Sequence, residues 1–479
     1  MVSGLGVTDG ENTLRSLAGR SVAYLAGGVA GKALALVTLP LLARLLTPAQ
    51  LGILDVGSGL ATLLATVAVM GVDNSIPRFL PASARPGPVW SSAFTVVAVA
   101  AVAIVVVGLA ASDLLARLLL HDATTSGVMA ASVLYAAAVA AFITALTVLR
   151  LRASARRYPL ATTGTLVLQM VGAVVIAAFT PQPLVPILMY WALVSAMGAL
   201  AIVLVSRPPL ARPDPHEIVR LAKFGLPLVP AVIAWSLGDL GIRSLLASRG
   251  DLANLGSYSI ASRLVSVMAL GISGFSLAWM PFIFRSASIA DAGDLFRRAA
   301  VALSAILGLV GIGLAALAPE AVALLAGHGY ASAPAAVAPL AGGMLVFGLF
   351  TLLIGASGIV FRTADVAWIS TVGAVVQIGA AWVLVHWNPL LGAGVASFLG
   401  YATALALLRV RLGRQLHMSS PTLFATLALA AGLLSVSAAL VAIGTPLILR
   451  SLVVVAGAAV TFLLGAPLWR RQWGGTGAA

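Results

Sequence analysis

The chain contains no cysteine, and only 9% of its 479 residues are charged. The lack of cysteine excludes disulfides, cysteine metal sites and a thiol nucleophile. Soluble domains carry about a quarter charged residues, so this composition, with 61% hydrophobic residues, excludes a water-soluble globule. The five histidines show no metal-ligand spacing and no Walker A pattern of the GxxxxGK(S/T) type occurs, so neither a metal, another cofactor nor an ATP motor is expected. The sequence therefore predicts an integral membrane protein.

Charge is scarce but strongly biased, since the net charge is +14. Such an excess could indicate nucleic-acid binding, but in a membrane protein basic residues collect in cytoplasmic loops. With the spans given below, 21 Lys and Arg residues lie in the terminal tails and even-numbered loops, 5 lie on the opposite side and 2 lie inside helices. The distribution predicts a multi-pass protein of the inner (cytoplasmic) membrane with both termini cytoplasmic and no nucleic-acid partner.

Long apolar runs dominate the rest of the chain. A helix of about 20 apolar residues crosses a bilayer, and the sequence contains fourteen such runs. The external loops between them are short, so no separate external domain is expected. We therefore predict an all-α polytopic membrane protein with about fourteen transmembrane helices, at 21–46, 51–77, 90–112, 127–149, 159–180, 186–206, 224–248, 255–284, 299–318, 334–361, 364–387, 390–408, 423–443 and 446–468.

An internal repeat organises these helices. Gly52 opens the second helix and Pro77 interrupts its far end 25 residues later, and Gly256 and Pro281 repeat this spacing with an offset of 204 residues. The offset moves the second helix onto the eighth, so the halves are predicted to be parallel repeats related by an axis along the membrane normal. The predicted units are an N-terminal six-helix lobe at 1–206, a cytoplasmic linker at 207–223, a C-terminal six-helix lobe at 224–414, and an appended two-helix segment with a cytoplasmic tail at 415–479.

The beginning of the chain carries a family resemblance. The stretches LPLLARLLTPAQLGILD at 39–55 and GVDNSIPRFL at 71–80 resemble the opening of polysaccharide biosynthesis (O-antigen or exopolysaccharide) flippases, which belong to the multidrug/oligosaccharidyl-lipid/polysaccharide exporter superfamily. The resemblance implies two lobes around a cavity that opens alternately to either side, and export of an undecaprenyl-pyrophosphate-linked oligosaccharide for cell-surface polysaccharide synthesis. The extra helix pair is similar to that of the lipid II flippase, where it forms a groove for the lipid tail. The implied partners are the lipid-linked oligosaccharide, membrane lipids, and polymerase or glycosyltransferase proteins of the same pathway.

Charged residues inside the predicted spans are the candidate site residues, because a charge costs about 2.5–3.5 kcal/mol at the centre of a membrane helix. Lys32 lies near the middle of the first helix, and Arg263 lies about 12 Å from the external end of the eighth. Both would offer positive charge to a pyrophosphate in a cavity of low dielectric constant. In the alternative interpretation, Lys32 snorkels toward the membrane surface or pairs with Asp55, and Arg263 pairs with Asp239.

Further charged residues lie on the second and seventh helices. Asp239 and Arg243 are four residues apart and share one helix face, so Asp239 is a candidate for proton or sodium coupling and Arg243 for substrate contact, or the two form an ion pair. Asp55 lies about 6 Å below the external turn, where it contacts substrate or serves a gate or helix start. Asp73 and Arg78 end the second helix and are candidates for a cytoplasmic gate, with topogenic anchoring as the alternative for Arg78.

Three classes of function follow from these features. The leading hypothesis is an alternating-access flippase, which is not an enzyme. A cation-coupled multidrug extrusion antiporter of the same superfamily is the alternative, but it would depend on acidic residues, and Lys32, Arg243 and Arg263 favour an anionic substrate. A membrane enzyme such as a glycan polymerase would be expected to carry a sizeable external loop, which this sequence lacks.

Overall fold

The computed structural model describes residues 41–81, 83–152, 157–226, 229–249, 251–286, 289–359 and 363–416, with scattered positions between 431 and 452. These residues form fifteen α-helices, two short 3-10 turns and no strand. The helices are α1 (Pro48–Val69), α2 (Val72–Phe79), α3 (Pro86–Ala110), α4 (Ser112–Leu119), α5 (Ser126–Arg152), α6 (Arg157–Phe179), α7 (Leu184–Ser206), α8 (Pro215–Gly225), α9 (Val229–Ala247), α10 (Leu252–Ser286), α11 (Ile289–Ala316), α12 (Ala318–Leu325), α13 (Pro334–Ile359), α14 (Thr363–Leu384) and α15 (Pro389–Leu416).

The predicted fold class is confirmed. Eleven helical segments of the described residues are long and apolar enough to cross a membrane, and they coincide with the second to twelfth predicted spans. The first predicted span lies outside the described residues except for its end, and the thirteenth and fourteenth lie almost entirely outside them. The count of fourteen therefore stays a prediction.

The second predicted span consists of two helices. Thr47 caps α1 through a reciprocal pair of hydrogen bonds with Gln50, and Pro48 occupies the first helical turn. The helix ends at Met70 and Gly71, whose φ angles are 51° and 69°. The sequence placed the interruption at Pro77, but Pro77 lies inside α2, because the left-handed backbone that ends α1 is readily adopted by Gly71.

Three short helices were not predicted. α4 follows the end of α3 in the first half of the chain, and α12 follows the end of α11 in the second half. Both short helices lie on the predicted external side, where α1 begins. α8 lies on the predicted cytoplasmic side, where Asp214 caps it by accepting a hydrogen bond from His216 N at 2.9 Å. The cap and the proline at the first turn favour this helix, which occupies the second half of the predicted linker.

The helices form two bundles that share only part of their buried core. Helices α1–α7 pack mainly with one another as the N-terminal bundle, and α9–α15 as the C-terminal bundle, while α8 packs on α2 and α3. The external part of α1, at 51–63, is buried in one core with the C-terminal bundle. The cytoplasmic part of α1 is buried in a second core with α3, α5 and Leu221 of α8. The described bundles therefore meet mainly toward the predicted external side, and the names external and cytoplasmic for the two sides follow that predicted orientation.

Candidate functional site

Four of the charged residues singled out in the sequence meet at one place between the bundles. Asp55 of α1 accepts hydrogen bonds from Arg243 Nε of α9 at 2.9 Å and from Arg263 Nη2 of α10 at 3.2 Å. Ser259 Oγ of α10 donates to the same carboxylate at 2.8 Å. Arg243 also forms an ion pair with Asp239, one turn away on α9. We call Asp55, Asp239, Arg243, Ser259 and Arg263 the ionic cluster.

The ionic cluster balances its own charge, because two carboxylates face two guanidinium groups. The side chains of Arg243 and Asp55 are 9% and 12% exposed, whereas those of Arg263 and Asp239 are 26% and 46% exposed. A buried charge without its partner is strongly destabilising, so the inner pair requires its partners. Arg263 and Asp239 form the accessible edge of the cluster.

The structure decides between the pairings considered for these residues. The intrahelical pair of Asp239 with Arg243 is present. The ion pair of Arg263 is made with Asp55, not with Asp239 as the alternative interpretation had it. The sequence could not distinguish these pairings, because residue spacing along one helix does not reveal which neighbouring helix faces it. Lys32, the other predicted cation, lies outside the described residues.

A close helix crossing holds the ionic cluster in place. A Cβ atom added to Gly52 would lie 2.7 Å from Leu255 Cγ and 2.8 Å from Gly256 N, and one added to Gly256 would overlap the carbonyl oxygen of Pro48. α1 and α10 thus approach at Gly52 and Gly256, the glycines that are 204 residues apart in the repeat. Asp55 and Ser259, which are hydrogen-bonded, have the same separation of 204. Equivalent positions of two repeats contact each other only near their symmetry axis, so the predicted repeat places its axis at the cluster.

Paired hydroxyl groups continue from the ionic cluster toward the cytoplasmic side. Ser58 on α1 and Ser262 on α10 are equivalent in the repeat, as are Thr62 and Ser266. Each of these hydroxyls donates to a carbonyl of its own helix, at 2.6–3.0 Å. Thr62 is exposed and the other three are partly exposed. The two facing helices therefore present hydroxyl oxygens with free acceptor capacity between the bundles.

Three further hydrogen bonds join the bundles at the external side. Ser244 Oγ of α9 donates to Leu118 O of α4 at 2.7 Å, and Tyr330 OH donates to Leu46 O at 3.3 Å. Arg44 Nη2 donates to Leu324 O of α12 at 3.0 Å. With the ionic cluster, these contacts close the external side of the described structure.

Asp73 and Arg78 lie apart from the ionic cluster. Asp55 lies on α1, whereas Asp73 lies on α2, beyond the left-handed break at Met70 and Gly71. Pro77 has no N–H, so it cannot make the helical hydrogen bond to the carbonyl of Asp73. Arg150 Nη2 donates to that carbonyl instead, at 3.1 Å. Arg78 is exposed at the end of α2. α8 covers this end, since Ser75 Oγ donates to Leu221 O at 2.9 Å.

Sequence reasoning missed the residues that position the ionic cluster. Ser259 could have been found, because the repeat offset places it opposite Asp55. Tyr258 carried no such signal: its ring lies 5.7 Å from the Arg243 guanidinium carbon, and its hydroxyl is 3.4 Å from Ser397 Oγ. Among the described residues, no group of three or more His, Cys, Asp or Glu side chains could hold a metal ion.

Comparisons with known proteins agree on the fold. The structure is similar to the lipid II flippase MurJ in an inward closed conformation, with a TM-score of 0.72, 10% identity, and coverage of 94% of this chain and 99% of that one. It is also similar to a point mutant of the Vibrio cholerae MATE transporter VcmN (TM-score 0.57, 14% identity, 86% and 99% covered). A third match is a MOP superfamily transporter from Pyrococcus furiosus, described by the reverse polarity of its binding pocket (TM-score 0.55, 14% identity, 82% and 95% covered). No curated protein matches the sequence.

The family model for polysaccharide biosynthesis proteins matches residues 18–287, which is more than half of the chain. This confirms the resemblance seen at 39–55 and 71–80. The chain is therefore a multi-pass membrane protein that belongs to the polysaccharide biosynthesis protein family and has the fold of the membrane transporters and flippases of the MOP superfamily.

Proposed function

We propose that this protein is a flippase that exports an undecaprenyl-pyrophosphate-linked oligosaccharide across the cytoplasmic membrane by alternating access. The observation that carries the proposal is the convergence of Arg243 and Arg263 beside a hydroxyl group at the meeting point of the two bundles. Guanidinium groups bind phosphate oxygens through charge-assisted hydrogen bonds. The paired hydroxyls of α1 and α10 suit the hydroxyl-rich sugar that follows the pyrophosphate.

The proposal assigns each candidate residue a role. Arg263 and Arg243, together with Lys32, contact the pyrophosphate, and Asp55 belongs to the same site. Asp239, whose side chain is 46% exposed at the edge of the cluster, is the ion-coupling candidate. Arg78 and Asp73, which lie on α2 beyond the break at Met70 and Gly71, act at the cytoplasmic gate.

The proposed organisation follows the predicted units. The lobes at 1–206 and 224–414 move relative to each other, 207–223 links them on the cytoplasmic side, and 415–479 adds a helix pair. Both termini are cytoplasmic and the protein lies in the inner membrane. Membrane lipids surround it, and polymerase or glycosyltransferase proteins of the same pathway supply and use its substrate.

A cation-coupled multidrug antiporter is the competing proposal, since MATE transporters share the fold. The accessible carboxylate of Asp239 is the one observation that favours it. The ion pair of Asp239 with Arg243 argues against it, because the carboxylate that a cationic drug would need already faces a guanidinium group. The polarity of such a site is not fixed by the fold, as the Pyrococcus furiosus transporter with a pocket of reverse polarity illustrates.

The test is translocation of a fluorescent undecaprenyl-pyrophosphate oligosaccharide in liposomes. Wild type should flip the lipid, and Arg263→Ala should flip it about tenfold more slowly or worse, because a lost charged hydrogen bond costs about 1.5–3 kcal/mol. Arg249→Ala removes an exposed external arginine outside the cluster and should flip at the wild-type rate. A wild-type protein that leaves the lipid in place but moves cationic dyes against a proton or sodium gradient would replace the flippase with the antiporter.

A further inference from the structure

The partners of Asp55 suggest how binding and opening are connected, an inference that rests on the proposed function. Asp55 lies on α1 of the N-terminal bundle, and its three hydrogen-bond donors, Arg243, Arg263 and Ser259, all lie in the C-terminal bundle. The donors that make this site suitable for phosphate are therefore the same groups that hold the two bundles together.

Two guanidinium groups and one hydroxyl converge on the Asp55 carboxylate, with donor-to-oxygen distances of 2.8–3.2 Å. A phosphate oxygen would use the same donors with the same geometry. We propose that Asp55 is the resident counter-ion of the anion site, and that the pyrophosphate of the substrate displaces it and thereby releases α1 from α9 and α10 at the external side.

The charges are consistent with such an exchange. The cluster has two guanidinium groups and two carboxylates, so it has no net positive charge to attract an added anion while Asp55 stays in place. A pyrophosphate diester carries two negative charges, which can face both guanidinium groups once Asp55 has left. The displaced carboxylate of Asp55 then needs water, which enters between the bundles as they separate.

Access to the cluster is available from the side at which the exchange would begin. Arg263 is 26% exposed, more than the 9% of Arg243, so the incoming anion contacts Arg263 first. The partly exposed hydroxyls of Ser262 and Ser266 lie on the same helix as Arg263, toward the cytoplasmic side. Since a ligand shifts an equilibrium only through its different affinity for the two states, competition with Asp55 supplies the difference that favours external opening.

The competing interpretation is a purely structural ion pair, in which Asp55 neutralises the arginines and remains bound to them throughout transport. The two interpretations differ in the affinity for a small anion. If Asp55 competes with the anion, removing its charge strengthens anion binding. If Asp55 only stabilises the fold, removing its charge lowers stability and gives no gain in affinity.

The first experiment measures inorganic pyrophosphate binding to the full-length purified protein by calorimetry at fixed ionic strength. Asp55→Asn should bind pyrophosphate at least tenfold more tightly than wild type, and adding Arg263→Ala should remove that gain. Arg249→Ala on the Asp55→Asn background is the matched control and should keep the gain. Equal affinity of folded Asp55→Asn and wild type overturns the proposal.

A second measurement keeps Asp55 and its hydrogen-bond donors in place. The chain lacks cysteine, and a Cβ at Gly329 would lie 3.7 Å from Pro48 Cγ. The pair Pro48→Cys and Gly329→Cys therefore reports closure between the bundles at the external side. Pyrophosphate should slow disulfide formation in this background several-fold and have no effect when Arg263→Ala is added. A disulfide rate that pyrophosphate leaves unchanged overturns the proposal.

Failure of the inference and failure of the proposed function give different results. If wild type flips the lipid but Asp55→Asn gains no affinity, the counter-ion role is wrong and the flippase stands. If Asp55→Asn gains affinity through Arg263 but wild type does not flip the lipid, the anion site and its displacement of Asp55 stand and the lipid-linked substrate is wrong.

Discussion

The two ends of the segment formed by α1 and α2 contact their neighbours in different ways. At the external end, Asp55 is ion-paired to Arg243 and Arg263 of the other bundle. At the cytoplasmic end, Gly71 packs against the backbone of Gly225, and Ser75 donates a hydrogen bond to Leu221 O. The external contact joins the two bundles, whereas the cytoplasmic contact joins α8 to the bundle on which it already packs.

The difference teaches which contact a substrate can replace. Ion pairs can be exchanged for contacts with a charged ligand, because phosphate and carboxylate oxygens use the same donors. A glycine packed on a backbone has no such exchange partner. In the proposed function the external end is the contact that opens, and the cytoplasmic contact keeps α8 on the N-terminal bundle.

The largest effect is expected where the bundles cross. A Cβ at Gly256 would overlap the carbonyl oxygen of Pro48, and over-packing costs about 1–3 kcal/mol or more. Gly256→Ala should lower the thermal unfolding midpoint in detergent and slow the disulfide between cysteines at 48 and 329. Gly164→Ala is the control, since nothing lies within 4 Å of the added Cβ. Equal stability of the two variants would refute the close crossing.

A smaller and local effect is expected at the cytoplasmic end. A Cβ at Gly225 would overlap the carbonyl oxygen of Met70, so Gly225→Ala should release α8 at a cost of about 1–3 kcal/mol. Leu221 is fully buried, and a single cysteine there should react slowly with maleimide in the otherwise unchanged chain and quickly beside Gly225→Ala. In a separate background with cysteines at 48 and 329, the external disulfide should form at the same rate with and without Gly225→Ala. A change at the external end would mean that the two contacts are coupled.

An ion pair outside the ionic cluster tests whether every external ion pair joins the bundles. Arg450 pairs with Glu320 of α12 through Nη1 and Oε2 at 3.1 Å, and Glu320 is 41% exposed. Glu320→Gln should cost about 1 kcal/mol or less, because solvent screens a partly exposed pair. The unfolding midpoint should fall slightly while the disulfide rate at 48 and 329 stays constant. If Glu320→Gln changed the disulfide rate as much as Asp55→Asn does, the ion pairs of Asp55 would not be special in joining the two bundles.

The smallest effect is expected from Tyr330, whose hydroxyl joins the bundles outside the membrane spans. Burial raises the pKa of Tyr330 to about 12. Because the folded pKa lies above the ordinary value of about 10, this stabilisation is complete below pH 10 and is lost as the pH rises toward 12. Tyr330→Phe should cost about 0.5 kcal/mol at neutral pH, since the hydrogen bond is 3.3 Å long, and should flatten the alkaline fall in unfolding midpoint. An unchanged alkaline profile would show that Tyr330 does not contribute.

The sequence predicted the membrane class and the spans of the described helices, because apolar length is a direct requirement of the bilayer. It also predicted Gly52 and Gly256 as landmarks, and the structure shows that these glycines contact each other. The sequence placed the helix break at Pro77 instead of at Met70 and Gly71, because a proline usually ends a helix. Here the helix continues through Pro77, since Arg150 donates to the carbonyl that the proline leaves without a partner.

The ionic cluster was predicted in its members but not in its pairing. A charged residue inside a membrane span is a candidate because placing it there costs free energy, and the sequence shows such residues at Asp55, Arg243 and Arg263. The pairing of Asp55 with both arginines depends on the side-by-side packing of α1, α9 and α10, which no spacing reveals. The docking of α8 depends on contacts between residues 146 positions apart, such as Ser75 and Leu221.

The most direct test of the account is whether the external side opens in each transport cycle. Cysteines at 48 and 329 would lock the two bundles together, while cysteines at 127 and 185 would form a control disulfide inside the N-terminal bundle, where a Cβ at Gly127 lies 3.6 Å from Val185 Cγ2. Oxidation should abolish flipping of the lipid-linked oligosaccharide in the first variant, reduction should restore it, and the control should flip in both states. Undiminished flipping by the fully cross-linked 48–329 protein would contradict the account.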